Sequence, residues 1–123
     1  MILTRQMLVD WKACQEGIDY YDTLKTTDVA TILDRTTQDQ QWPLIEWIVP
    51  RLMTNDQRSQ YASYAADIII ESSTMTPEVA KELKQRLIQE AFAGSYVTVR
   101  NVSTLDNKIK IEKFGIQILK GLV

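Results

Sequence analysis

Apolar positions recur at helical spacing through most of this chain. Met7, Trp11, Cys14, Ile18 and Tyr21 are separated by four, three, four and three residues. That is one stripe of an α-helix, and it predicts a first helix over residues 3–24. Gly17 falls inside it, where glycine costs about 1 kcal/mol relative to alanine; its presence implies a second helix passing close by. Thr26, Thr27 and Asp28 offer side-chain oxygens to cap a short helix whose Val29, Ile32 and Leu33 face inward. The polar run over residues 36–41 ends it. The stretch Trp42-Pro43-Leu44-Ile45-Glu46-Trp47-Ile48-Val49 is apolar almost all round and reads as the most buried helix. Pro43 suits a first helical turn, and Pro50 predicts a stop or a kink near Val49.

Thr54 followed three residues later by Gln57 is a capping box, and the helix it opens should run to about residue 72. Ala62, Ala65 and Ala66 give that helix a small face on which a neighbour can pack closely. Thr76-Pro77-Glu78 marks another start: a cap, a first-turn proline and an acid at the positive end of the helix dipole. Val79, Ala80, Leu83, Leu87 and Ala91 supply its inward face, and Gly94 suits the position after its end. Beyond Gly94 the period changes from 3.6 to 2. Residues 96–100 alternate, as do residues 108–112, with Leu105-Asp106-Asn107 between them as a turn. This predicts a β-hairpin with a third strand or a short helix over residues 114–119. The expected fold is therefore α+β and mainly α. About five helices over residues 3–93 form a bundle, and a β-rich segment over residues 95–123 completes a single domain.

Composition narrows the functions available. The chain has 123 residues, 45% hydrophobic and 24% charged, which is ordinary for a globular domain large enough to bury a core without metal or disulfide. It contains no histidine. The commonest general base and metal ligand is therefore missing, and a serine or cysteine triad of the usual kind cannot be built. The single cysteine, Cys14, lies on the apolar stripe and reads as a buried small hydrophobe. No phosphate-cradling glycine loop exists, because the four glycines lie far apart. No catalytic residue, cofactor or metal is expected. The N-terminal residues are charged too early for a signal peptide, and no apolar run is long enough for a membrane-spanning helix. A soluble, cytoplasmic protein is the expectation.

Three clusters remain as candidate chemistry. Glu16, Asp19 and Asp22 form an acidic edge on the first helix, which reads as a solvated face. Trp42 and Trp47 sit among apolar neighbours and read as core. The third cluster follows from charge. Residues 95–123 hold five basic residues against Asp106 and Glu112, a net +3, while residues 1–94 hold nine basic and fourteen acidic residues, a net −5. Tyr96, Arg100, Lys108, Lys110 and Lys113 interleave an aromatic with cations along the expected ribbon. They are the candidate partner-binding residues. A basic ribbon can augment another sheet or enter a DNA groove. The chain's pI of about 5.1 disfavours nucleic acid relative to protein.

The helical part also resembles small proteins of phages, prophages and bacteria, some of which are described as immunity proteins. The resemblance rests on Ala13-Cys14-x-x-Gly17-x-x-x-Tyr21, Trp42-x-x-x-x-Trp47, Leu52-Met53-Thr54-Asn55-Asp56-Gln57 and Tyr61-Ala62-x-Tyr64-Ala65-Ala66. It covers about residues 7–72 and leaves the C-terminal segment outside the pattern. It implies a helical fold and no catalytic residue. Together these readings lead to a non-enzymatic protein-interaction module that binds and inhibits or modulates a host or toxin protein, in the host cytoplasm if phage-encoded. Homodimerisation through the tail strands is compatible with it. The alternative is a small nucleic-acid-binding regulator using the basic ribbon.

Overall fold

The computed structural model describes residues 1–94 and 104–122. These residues form α1 (Arg5–Asp10), α2 (Gln15–Leu24), α3 (Val29–Gln38), α4 (Trp42–Leu52), α5 (Asn55–Glu71), α6 (Pro77–Phe92) and α7 (Leu105–Leu119). They divide into two compact units, Met1–Ile45 and Glu46–Val123.

The first unit holds α1 to α3 and the opening turn of α4. Thr4 caps α1 by accepting a hydrogen bond from the Met7 N–H, and Asp28 caps α3 by accepting from the Thr31 N–H. Leu3, Leu8, Ile18, Leu24, Val29, Ile32, Leu33 and Ile45 are its buried apolar residues. The first residues lie against the turn before α3: the Leu3 N–H donates to Thr27 O at 2.8 Å and the Tyr21 hydroxyl to Leu3 O at 2.7 Å. The single long first helix expected from the stripe is in fact two. The Lys12 N–H donates to Val9 O and the Ala13 N–H to Leu8 O, and Lys12 has φ +60°. That is a Schellman ending built on a lysine in the left-handed conformation. As a result Cys14, expected in the core, is the exposed N-cap residue of α2. The close approach expected at Gly17 is present. A Cβ there would lie 3.3 Å from Leu44 Cδ2 of α4.

In the second unit, α5 packs against α6 and α7. Its buried strip is Tyr61, Ala62, Ala65 and Ala66, the small face expected of it. The capping box at Thr54 and Gln57 forms, Thr76 caps α6 ahead of Pro77, and Gly94 has φ +103°. α4 continues through Pro50 to Leu52 instead of ending near Val49. Only two residues of the helix follow the proline, and the carbonyls of this last stretch keep donors. The Arg51 guanidinium donates to Trp47 O, and that of Arg58 donates to Pro50 O and to Met53 O.

The C-terminal expectation is overturned. The described residues contain no strand, and an isolated bridge between Ile2 and Asp28 is their β pairing. Residues 105–119, read as turn and strand, form α7, so the fold of the described residues is all-α. Thr104 accepts from the Asn107 N–H and Asp106 sits in the first turn, which makes a helix start of the expected turn. The buried residues Ile111, Glu112, Gly115, Ile116 and Ile118 recur with the helical period. The Lys-Ile-Lys-Ile-Glu alternation over residues 108–112 is too short to decide between the two periods. The hairpin's first strand, over residues 96–100, lies outside the described residues. Homodimerisation by pairing strands over residues 108–112 is removed with the strand itself.

Candidate functional site

α7 has two chemically different faces. Lys110 and Lys113, three residues apart, share the exposed side with Asp106 and Gln117. Lys108 lies half-buried on the flank. Of the five candidate partner-binding residues, these three are therefore carried by one helix in place of a ribbon. Only Lys110 and Lys113 point together into solvent. Tyr96 and Arg100 lie outside the described residues.

The inner face meets α5 at close quarters. A Cβ on Gly115 would stand 2.7 Å from Val49 Cγ1 and 2.8 Å from Tyr61 Cε2, so only glycine fits without displacement. The Phe114 ring stacks on Tyr64 of α5 with centroids 4.1 Å apart and planes 15° from parallel. Beside Gly115, Glu112 is 1% exposed and Tyr61 equally so. The Tyr61 hydroxyl donates to Glu112 Oε1 at 2.8 Å. Glu112 Oε2 has no hydrogen-bond partner among the described residues. Burial pushes the Glu112 carboxyl from its ordinary 4.5 up to about 8; the Tyr61 hydrogen bond opposes this and the charge of Glu46 on α4 adds to it. Burial likewise raises Tyr61 well above 10.0, helped by the Glu112 charge. At neutral pH the pair is an uncharged acid hydrogen-bonded to an uncharged phenol. It can hold and release one proton. Enclosed as it is, it offers no reactive atom to a molecule in solution.

Sequence reasoning missed Glu112 because the strand register placed it on the polar side with the lysines. In a helical register it falls one position from Ile111 and three from Gly115, and that was the available signal. Arg58 was also missed. It is buried, and its guanidinium donates to Met53 O at 2.7 Å, to Ala91 O at 3.2 Å and to Asn55 Oδ1. It thereby satisfies carbonyls at the negative ends of both α4 and α6.

The other candidates fall apart as sites. Asp22 pairs with Arg5 at 3.3 Å and Asp19 accepts from the Gln15 amide, both at the surface. Among the described residues no three His, Cys, Asp or Glu side chains are placed to hold a metal ion. Trp42 and Trp47 are half-buried and not enclosed in the core. The Trp47 ring carries the Arg51 guanidinium 4.0 Å from its centroid, a cation the expectation of an apolar setting had overlooked. An open depression in the first unit is lined by Tyr21, Asp22, Lys25, Thr26 and Thr27. Among the described residues no helix is long and apolar enough to cross a membrane. No protein-family model matches the chain, and no curated protein or solved structure matches it.

Proposed function

We propose that the chain is a non-enzymatic protein-interaction module that contacts an acidic partner surface through the outward face of α7. The observation that carries this reading is the pair Lys110 and Lys113. They stand exposed on one side of a helix whose other side is anchored in its unit, in a chain whose residues 1–94 carry a net −5. The two lysines outweigh Asp106 on that side, and a net positive face on a rigid helix steers an oppositely charged partner and fixes its orientation. The resemblance to phage and prophage proteins adds that the partner would be a host or toxin protein, bound and thereby inhibited or modulated.

The test is affinity capture from a lysate of the native source with the wild-type chain and with a Lys110→Glu, Lys113→Glu double variant. Both substitutions lie at the surface, so circular dichroism should be unchanged. A stoichiometric protein retained by the wild type and lost with the double variant supports the reading. Equal capture by both chains, or none by either, refutes it. Loss of nucleic acid instead of protein from the captured material would move the assignment to the nucleic-acid regulator.

A further inference from the structure

We propose that α7 is a proton-controlled element, docked on α5 while the Glu112 carboxyl keeps its proton and released when that carboxyl ionises. The proposal is independent of what the lysine face binds.

The geometry leaves the ionised form almost uncompensated. Glu112 is 1% exposed, one of its oxygens accepts a single hydrogen bond from Tyr61, and the other has no partner among the described residues. From α5 it faces the Tyr61 hydroxyl, a neutral group. From α4 it faces Glu46, whose charge has the same sign as its own ionised form. On its own helix Lys108 lies one turn back and makes no ion pair with it. A carboxylate enclosed in this way is disfavoured by lost hydration and by its neighbour's charge together.

An ionising buried acid can stay in place at a cost, unfold the whole unit, or move the element carrying it. The packing favours movement of α7. α5 packs more extensively against α6 than against α7. The α7 packing comprises the stacked Phe114 and Tyr64 rings, the Gly115 notch against Tyr61 and Val49, the Glu112 pair, and the buried side chains of Ile111, Ile116 and Ile118. Local opening of a less extensively packed helix requires less free energy than global unfolding. A released α7 exposes Ile111, Ile116 and Ile118 on one side and Lys110 and Lys113 on the other, a basic amphipathic segment.

The experiment is amide hydrogen exchange on the full chain across pH, corrected for intrinsic rates, in wild type and Glu112→Gln. It is paired with carbon-13 NMR titration of the Glu112 carboxyl in the wild type. Opening that releases one proton becomes about tenfold more favourable per pH unit while the closed state holds the proton and the open state does not. The α7 amides should therefore lose about tenfold protection per unit between about pH 5 and pH 8. The α6 amides should stay better protected than those of α7 throughout, because global unfolding releases the same proton but costs more, and the slope should vanish in Glu112→Gln. Equal protection of the α6 and α7 amides across this range would show that only the whole unit opens, and would overturn the proposal. A slope surviving in Glu112→Gln would overturn it too, as would a carboxyl titrating in the ordinary carboxylate range. Should the variant fail to fold, the comparison of α6 with α7 and the carboxyl titration decide the question in the wild type.

Discussion

Replacing Glu112 by glutamine changes one atom and removes one titration, so its effect on stability can be worked from the structure. The wild-type carboxyl is raised from 4.5 to about 8 in the folded chain. Below the lower value both folded and unfolded chains hold the proton, and the group contributes nothing to the pH dependence. Between the two values the folded chain still holds the proton and the unfolded chain has lost it, so each unit of rising pH favours unfolding. Above the upper value both have lost it and the effect levels off. At 1.36 kcal/mol per unit, stability falls by about 5 kcal/mol across this window, a large share of the 5–15 kcal/mol typical of a domain. Glutamine keeps the carbonyl that accepts from Tyr61 but cannot ionise. Urea unfolding at half-unit intervals from pH 4 to pH 9 should give matching midpoints for the two chains at the acid end. Above about pH 5 the variant should be progressively more stable. A wild type whose midpoint is flat or rises over that range would refute the reasoning, because it would mean that Glu112 ionises in place at no cost.

Three further substitutions probe the surrounding packing. Gly115→Ala improves helix propensity by about 1 kcal/mol but drives a methyl into Val49 and the enclosed Tyr61 ring, so a net loss of about 1–2 kcal/mol is expected in thermal unfolding. Gly17→Ala meets the end of the Leu44 side chain at 3.3 Å and Cys14 Sγ at an ordinary contact distance of 3.6 Å, so the same assay should show it neutral or slightly stabilising. Arg58→Met leaves the Met53 carbonyl without its side-chain donor and removes a second donor from those of Pro50 and Ala91, and urea unfolding should register a loss of about 2 kcal/mol or more.

Most of the helical architecture is legible because it is written in local chemistry. Asp28, Thr54 and Thr76 cap the helices they were expected to cap, and Gly94 takes the left-handed conformation expected of it. The misreadings occur where a local rule has two physical solutions. A helix ending seeks a residue that tolerates positive φ, and glycine is the usual choice, but Lys12 and Gln40 fill that position at the ends of α1 and α3. Nothing in the sequence around residue 12 distinguishes an ending from a continuation, so the apolar stripe runs unbroken across two helices. At Pro50 the helix does not stop, because near a C-terminus few residues remain for proline to disrupt.

The C-terminal segment shows how a single register decides which residues become a candidate site. In a strand, Lys108, Lys110 and Glu112 share one face, and the acid merely dilutes a basic ribbon. On α7 the same residues separate: Lys110 turns outward, Lys108 lies on the flank and Glu112 turns inward against Tyr61. The charge asymmetry read from the sequence then changes in kind. While Glu112 keeps its proton it adds no negative charge, so residues 95–123 carry +4 instead of the formal +3. The proton that stabilises the docked helix also makes the segment more basic. A partner that recognises the outward lysines through charge therefore meets the strongest positive potential in the pH range where α7 is most firmly held. As pH rises from about 4.5 to about 8 the docking weakens while the docked helix keeps its proton, and the potential falls in turn as pH passes about 8.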